Sequence, residues 1–149
     1  MTDTAEFLQP VERVRVFVDY WNLQLGASEK LGRKFKPDWK RIPQWLGVDA
    51  VRLAVGDPKL PLRLDGLTAY ISYNPASEAD RKFKTWASNF LDRVPSVQVV
   101  CKERKPRYAP QCQTCHQAIA VCPHCGTAMA GTVEKGVDVA ITTDIIRLA

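Results

Sequence analysis

The apolar positions change period along the chain, and the changes mark out the elements. Val14, Val16, Phe17 and Val18 form a short β-rich run that closes on an acidic residue, Asp19. Such a run suits a buried strand of a parallel sheet. A helix is predicted from about Trp21 to Leu31, stopped by Gly32. From Pro37 to Val55, the residues Trp39, Ile42, Trp45 and Leu46 suit a partly helical, amphipathic cover, with Pro43 and Gly47 as punctuation. Gly56, Asp57, Pro58 and Pro61 mark a loop. LTAYISY, residues 67–73, reads as a second strand. The clearest helical spacing belongs to Ala79, Phe83, Trp86, Ala87, Phe90, Leu91 and Val94, with Pro75 near the start and Pro95 as the stop. VQVVC, residues 97–101, is a third strand, and Cys101 at its end reads as a small buried hydrophobe. A last helix is expected from about Thr132, with Val137, Ile141, Ile145 and Leu148 on its apolar stripe.

Strands alternating with helices predict an α/β fold around a parallel sheet. The 149 residues fit one domain, and residues 102–131 read as an inserted module with no large core of its own. A chain of this size buries roughly 68–70% of its unfolded surface, so it does not need disulfides to fold. No internal repeat and no low-complexity tract is expected. The opening MTDTAEFLQP has neither a basic n-region nor an apolar h-region, and no apolar run approaches the roughly 18 residues of a membrane span. A cytoplasmic protein without a membrane partner is expected.

The insert carries the most specific pattern. Cys112-x2-Cys115 and Cys122-x2-Cys125 are two CxxC pairs. Each can occupy a tight turn that aims two thiolates at one point, and two such turns can close a tetrahedron around Zn²⁺. Four cysteines in a cytosolic protein are poor candidates for disulfides. The expectation is one structural zinc in a knuckle, with His116 and His124 as solvent-facing neighbours rather than ligands. The knuckle either staples the insertion or also presents basic residues to nucleic acid.

Charge sharpens that alternative. The net charge is +5, which favours polyanionic partners. Lys102, Arg104, Lys105 and Arg107 crowd beside the cysteines, while Lys34, Lys36, Lys40 and Arg41 are interleaved with Phe35 and Trp39. Basic groups among aromatic ones suit phosphate neutralisation combined with base stacking.

Asp19 falls at the carboxyl end of the first strand, where ligands bind in open parallel sheets. Asn22, three residues on, can orient its carboxylate. Asp19 also suits the N-cap of the next helix. The segment VFVDYWNLQ, residues 16–24, resembles the opening motif of the NYN domain family, in the PIN-like nuclease group. EKGVDVAITTDIIRLA, residues 134–149, is similar to that family's second motif, and a cysteine-rich insertion before it is compatible with bacterial members. The resemblance implies a Rossmann-like (PIN-like) three-layer parallel sheet, here with an inserted zinc knuckle. It also implies Mg²⁺ or Mn²⁺ held by acidic residues, and RNA as the substrate. Asp19 and Asp138 would be metal-binding carboxylates, Asn22 would orient Asp19, and Asp144 matches an acidic position of the second motif. Asp144 would alternatively cap, or pair with Arg147. Lys135 would contact a phosphate or stay solvated.

The family continues into a further strand ending in a Ser-Gly-Asp-x-Asp-Phe-type motif, which has no counterpart here. In a Rossmann-like strand order that strand would lie beside the first one. The expectation is therefore a missing C-terminal segment, or a homo-oligomer that covers an otherwise exposed edge at Val14–Val18. Three functions follow: a metal-dependent ribonuclease or its N-terminal part, a non-catalytic zinc-containing nucleic-acid-binding module, and an interaction protein merely stabilised by zinc. A dinucleotide-binding enzyme is not expected, because no G-x-G-x-x-G follows the first strand.

Overall fold

The computed structural model describes residues 10–148. Strand β1 (Glu12–Asp19) leads into helix α1 (Tyr20–Leu31). The next helical stretch runs from α2 (Ile42–Gln44) through a π turn (Trp45–Asp49) into α3 (Ala50–Val55). Strand β2 (Leu62–Tyr73), helix α4 (Glu78–Asn89) and a 3₁₀ turn (Leu91–Arg93) follow. Strand β3 (Val97–Glu103) precedes the small strands β4 (Lys105–Arg107) and β5 (Gly131–Val133), and helix α5 (Val137–Leu148) comes last.

The fold is mixed α/β around a three-stranded parallel sheet in the order β1-β2-β3. Val18 pairs with Ala69, and Ala69 with Val99. Asp19 pairs with Tyr70. The Val14–Val18 run therefore does lie on an edge strand. Period-2 alternation divides β2 between two faces. Leu67, Ala69 and Ile71 enter the main core with Val18, Trp39, Ile42, Ala87 and Leu91. Thr68, Tyr70 and Ser72 are also buried, on the face that α5 covers. Helices thus lie on both sides of the sheet.

Local signals set most of the boundaries. Asp19 is the N-cap of α1, and Gly32 ends that helix at φ 60°, a left-handed position that favours glycine. Ser77 caps α4 by accepting from the Asp80 amide, so Pro75 lies in the preceding turn rather than at the helix start.

Three expectations are corrected. Gly47 does not punctuate the helical stretch; it lies inside the π turn. A Cβ there would sit 2.5 Å from Leu64 Cδ1 and 3.3 Å from Val16 Cγ2, so its bare backbone lets this turn press onto β1 and β2. The last helix begins at Val137, not Thr132, because Gly131–Val133 pairs antiparallel with Lys105–Arg107 to close the insert. Only the first half of the predicted stripe faces inward. Val137 is buried, and Ala140, Ile141 and Asp144 are half-buried, whereas Ile145 and Leu148 are exposed.

Close approach at Gly47 predicts that Gly47→Val overpacks the junction of the π turn with β1 and β2. Such overpacking costs about 1–3 kcal/mol. Denaturant titration should show a lower midpoint with an unchanged slope; an unaltered midpoint would refute the contact.

Candidate functional site

Asp19 lies at the carboxyl end of β1, and Asp144 and Glu134 bond to side chains in the second half of β2. Asp19 accepts on both oxygens from a single residue. The Asn22 amide donates to Oδ1 at 3.0 Å and its side-chain Nδ2 donates to Oδ2 at 2.9 Å. The cap and the orienting contact are therefore the same structure, and the remaining lone pairs of both oxygens stay available.

Beside Asp19 in the sheet, Tyr70 reaches across to α5. Its hydroxyl donates to Asp144 Oδ2 at 2.6 Å. Asp144 therefore neither caps nor pairs with Arg147; it satisfies a buried phenol. Burial, and then the Asp144 carboxylate, push the Tyr70 phenol well above its ordinary range. Two residues further along the same face, Ser72 Oγ donates to Glu134 Oε2 and accepts from Arg104 Nε at 3.2 Å. Arg104 also lies over the Trp21 ring, 5.8 Å from its centroid, while Trp21 Nε1 donates to the Ser72 carbonyl at 2.8 Å.

Tyr70, Ser72 and Glu134 are members of this cluster that the sequence reading missed. The signal was a polar residue at every second position of LTAYISY, with an acidic residue opening EKGVD. Of the predicted basic residues, Arg104 is half-buried in the cluster, and Lys102, Lys105, Arg107 and Lys135 are exposed. Asp138 is exposed in the first turn of α5. Among the described residues, no three His, Cys, Asp or Glu side chains converge closely enough to hold one metal ion by themselves.

The insert is built from two copies of one turn, which corrects the expectation of no internal repeat. Residues 111–120, QCQTCHQAIA, and 121–130, VCPHCGTAMA, align without a gap. The Cys112 amide donates to Gln117 O at 2.9 Å, and the Cys122 amide to Thr127 O at 2.8 Å. His116 N donates to Cys112 O and Gly126 N to Cys122 O, both at 2.9 Å. Ile119 N donates to Pro110 O, and Met129 N to Ala120 O. Gln111 bridges to Ala118, and Val121 to Ala128. Both turns place their fifth residue after the bridge start in the left-handed region, His116 at φ 58° and Gly126 at φ 70°.

Each copy brings its two thiols together. The Cys115 and Thr114 amides point at Cys112 and hold its thiol below the ordinary range. The Thr127 hydroxyl, 3.2 Å from Cys125 Sγ, does the same there, helped by the Thr127 amide and Cys122. The structure thus presents two preformed two-thiol turns, and does not draw all four sulfurs to one point. Cys101 stands apart on β3, half-buried, and burial pushes its thiol up.

No family model, curated protein or solved structure matches the chain.

The Tyr70–Asp144 contact predicts the effect of Tyr70→Phe. Losing a hydrogen bond to a charged, half-buried acceptor should cost about 1.5–3 kcal/mol at neutral pH. Because the folded phenol pKa is raised, its stabilisation is complete below the unfolded value of about 10 and declines as pH rises beyond it. Melting curves from pH 7 to 11 should show the wild-type advantage shrinking toward alkaline pH; a constant difference would sink the assignment.

Proposed function

We propose that the chain is an RNA-cleaving domain of the NYN type, whose hydrolytic site lies at the carboxyl ends of β1 and β2. The observation that carries this reading is the double contact from Asn22 to Asp19. It fixes a carboxylate at the sheet edge where α/β proteins bind ligands and leaves it coordinatively open. The motif residues around it, VFVDYWNLQ, are those that resemble the family.

Hard carboxylate oxygens suit Mg²⁺ or Mn²⁺. Such ions are held by one or two carboxylates together with substrate phosphate and water. Asp19 and Asp138 would hold the ion, which supplies charge relief at the phosphate and an activated water. Asn22 positions Asp19. Arg104, anchored between Trp21 and Ser72, offers a fixed positive charge at the same edge, and Lys135 and Lys102 offer mobile ones. Asp144 and Glu134 act through Tyr70 and Ser72, locking α5 and the segment before it against β2.

The insert is assigned one structural zinc. Thiolates are soft donors of the kind zinc takes four at a time, and each CxxC turn is already shaped as half of such a site. Binding would draw the two turns together.

One observation favours a second reading. Since the carboxylates do not converge, the chain could serve as a nucleic-acid-binding module without hydrolysis, and the two readings separate experimentally. Asparagine is as good an N-cap as aspartate, so Asp19→Asn should fold normally. With Mn²⁺ and labelled single-stranded RNA, Asp19→Asn should lose cleavage while retaining binding. Asn22→Ala should weaken apparent Mn²⁺ affinity by about 10–100-fold. An uncleaved but bound RNA with the wild-type protein would favour the binding module.

The zinc assignment predicts one zinc per purified chain by elemental analysis. Cys112→Ser or Cys125→Ser should release it and render residues 108–130 protease-sensitive while the parallel sheet stays folded. A metal-free protein with unchanged protease resistance of the insert would reject the assignment.

A further inference from the structure

The stripe of apolar residues along α4 (Glu78–Asn89) and the 3₁₀ turn after it does two jobs. Ala87, Leu91 and Val94 enter the core. Trp86 and Phe90 do not: they remain 36% and 51% exposed. Instead they continue a line of rings. Trp21 lies 5.0 Å from Phe83, Phe83 stacks on Trp86 at 5.5 Å, and Trp86 stacks on Phe90 at 5.9 Å. The last two pairs are within about 25° of parallel, at 24° and 23°.

This line forms one wall of a groove. A section of ≈ 400 Å³ runs from Trp21 past Lys34 and Lys36 to Trp86. A second, of ≈ 380 Å³, shares Pro37, Trp39 and Trp86 with the first and reaches Lys40 and Phe90. A third, sharing Lys40 and Phe90, ends at Arg93. The groove therefore begins at Trp21, under Arg104 and beside the acidic edge, and leads away from it across α4.

We propose that this groove is a track for single-stranded RNA, with bases stacked on Trp86 and Phe90 and phosphates along Lys34, Lys36, Lys40 and Arg93. The inference deepens the RNA reading above and rests on it for the identity of the substrate. Stacking platforms bordered by cations are the general means of holding single strands without reading sequence. None of these four basic residues forms an ion pair among the described residues, so their charge is free to face a polyanion. Among the described residues, Asp38 is the one acidic residue lining these sections. A second copy of the chain is a poor occupant, because each copy carries +5 and would bring like charge to the groove. A duplex is also a poor occupant, since its bases are already stacked and paired. Because the track leads up to Trp21, it would present the strand to the Asp19 edge.

The test is fluorescence anisotropy with fluorescein-labelled oligouridylate, without added Mg²⁺ or Mn²⁺ so that no strand is cut. Trp86→Ala and Phe90→Ala should each raise Kd on the order of tenfold. Trp86→Phe should recover most of the loss, and Lys36→Glu should weaken binding while flattening its salt dependence. Duplex RNA of the same sequence should compete poorly. Both truncated rings are exposed, and circular dichroism checks that the variants remain folded. Kd values within twofold of wild type for both folded alanine variants would overturn the track, even if Asp19-dependent cleavage is intact. Weakened binding without cleavage by the wild type would uphold the track and remove the hydrolytic reading. Failure of the wild type to bind the oligonucleotide would overturn both.

Discussion

From Gly66 to Tyr73 every residue of β2 is buried, so the polar side chains of this central strand cannot rely on water. A buried hydroxyl without a partner costs more than the net worth of a hydrogen bond. The face of β2 opposite the main core therefore determines where its neighbours go. Tyr70 takes Asp144 from α5, and Ser72 takes Glu134 and Arg104 from segments flanking the insert. Those contacts hold residues 134–148 against the same part of the sheet that carries β1. Asp144 and Glu134 sit against β2 because a buried strand needs partners for its hydroxyls.

The other face obeys the ordinary rule of apolar burial, with one exception that shapes the surface. Helix α4 together with the 3₁₀ turn that follows it is broader in its apolar content than the sheet can cover. One column of its side chains fills the core, and the adjacent column is left outside as stacked rings beside an array of lysines. Exposed aromatic surface is costly to leave in water. Its alignment with Trp21, itself tied to β2 by the bond from its indole to the Ser72 carbonyl, joins this surface to the acidic edge through a single residue.

The insert solves a different problem. Residues 111–130 bury almost nothing, so hydrophobic packing cannot hold them. Order comes from repetition of one hydrogen-bonded turn, anchored at its base by the β4–β5 pair. Twenty residues shaped this way present four thiols in two pairs, with amides already aimed at Cys112. A cross-link between the pairs, such as the proposed metal, would give this segment the cohesion that its composition denies it.

Short-range information in the sequence was enough for the sheet and its helices. The β-branched run before Asp19, the glycine after Leu31, the period of α4 and the CxxC spacings act over a few residues, and the elements appear in the order they dictate. The Asp19–Asn22 contact was legible for the same reason, whereas the edge position of β1 was expected only from the strand order that the family resemblance implies. What the sequence could not show is anything that depends on which face meets which. The partner of Asp144 lies 74 residues away, and the division of the α4 stripe into core and surface depends on how wide the sheet is. Gly47 looks like a helix breaker until Leu64 and Val16 are placed beneath it. The tandem turn repeat was visible in letters, yet only its identical hydrogen bonds mark the two halves as one unit. Local propensity, acting between neighbours, chose the elements. The need to satisfy buried polar groups and cover apolar ones, acting across the sheet, assembled the site.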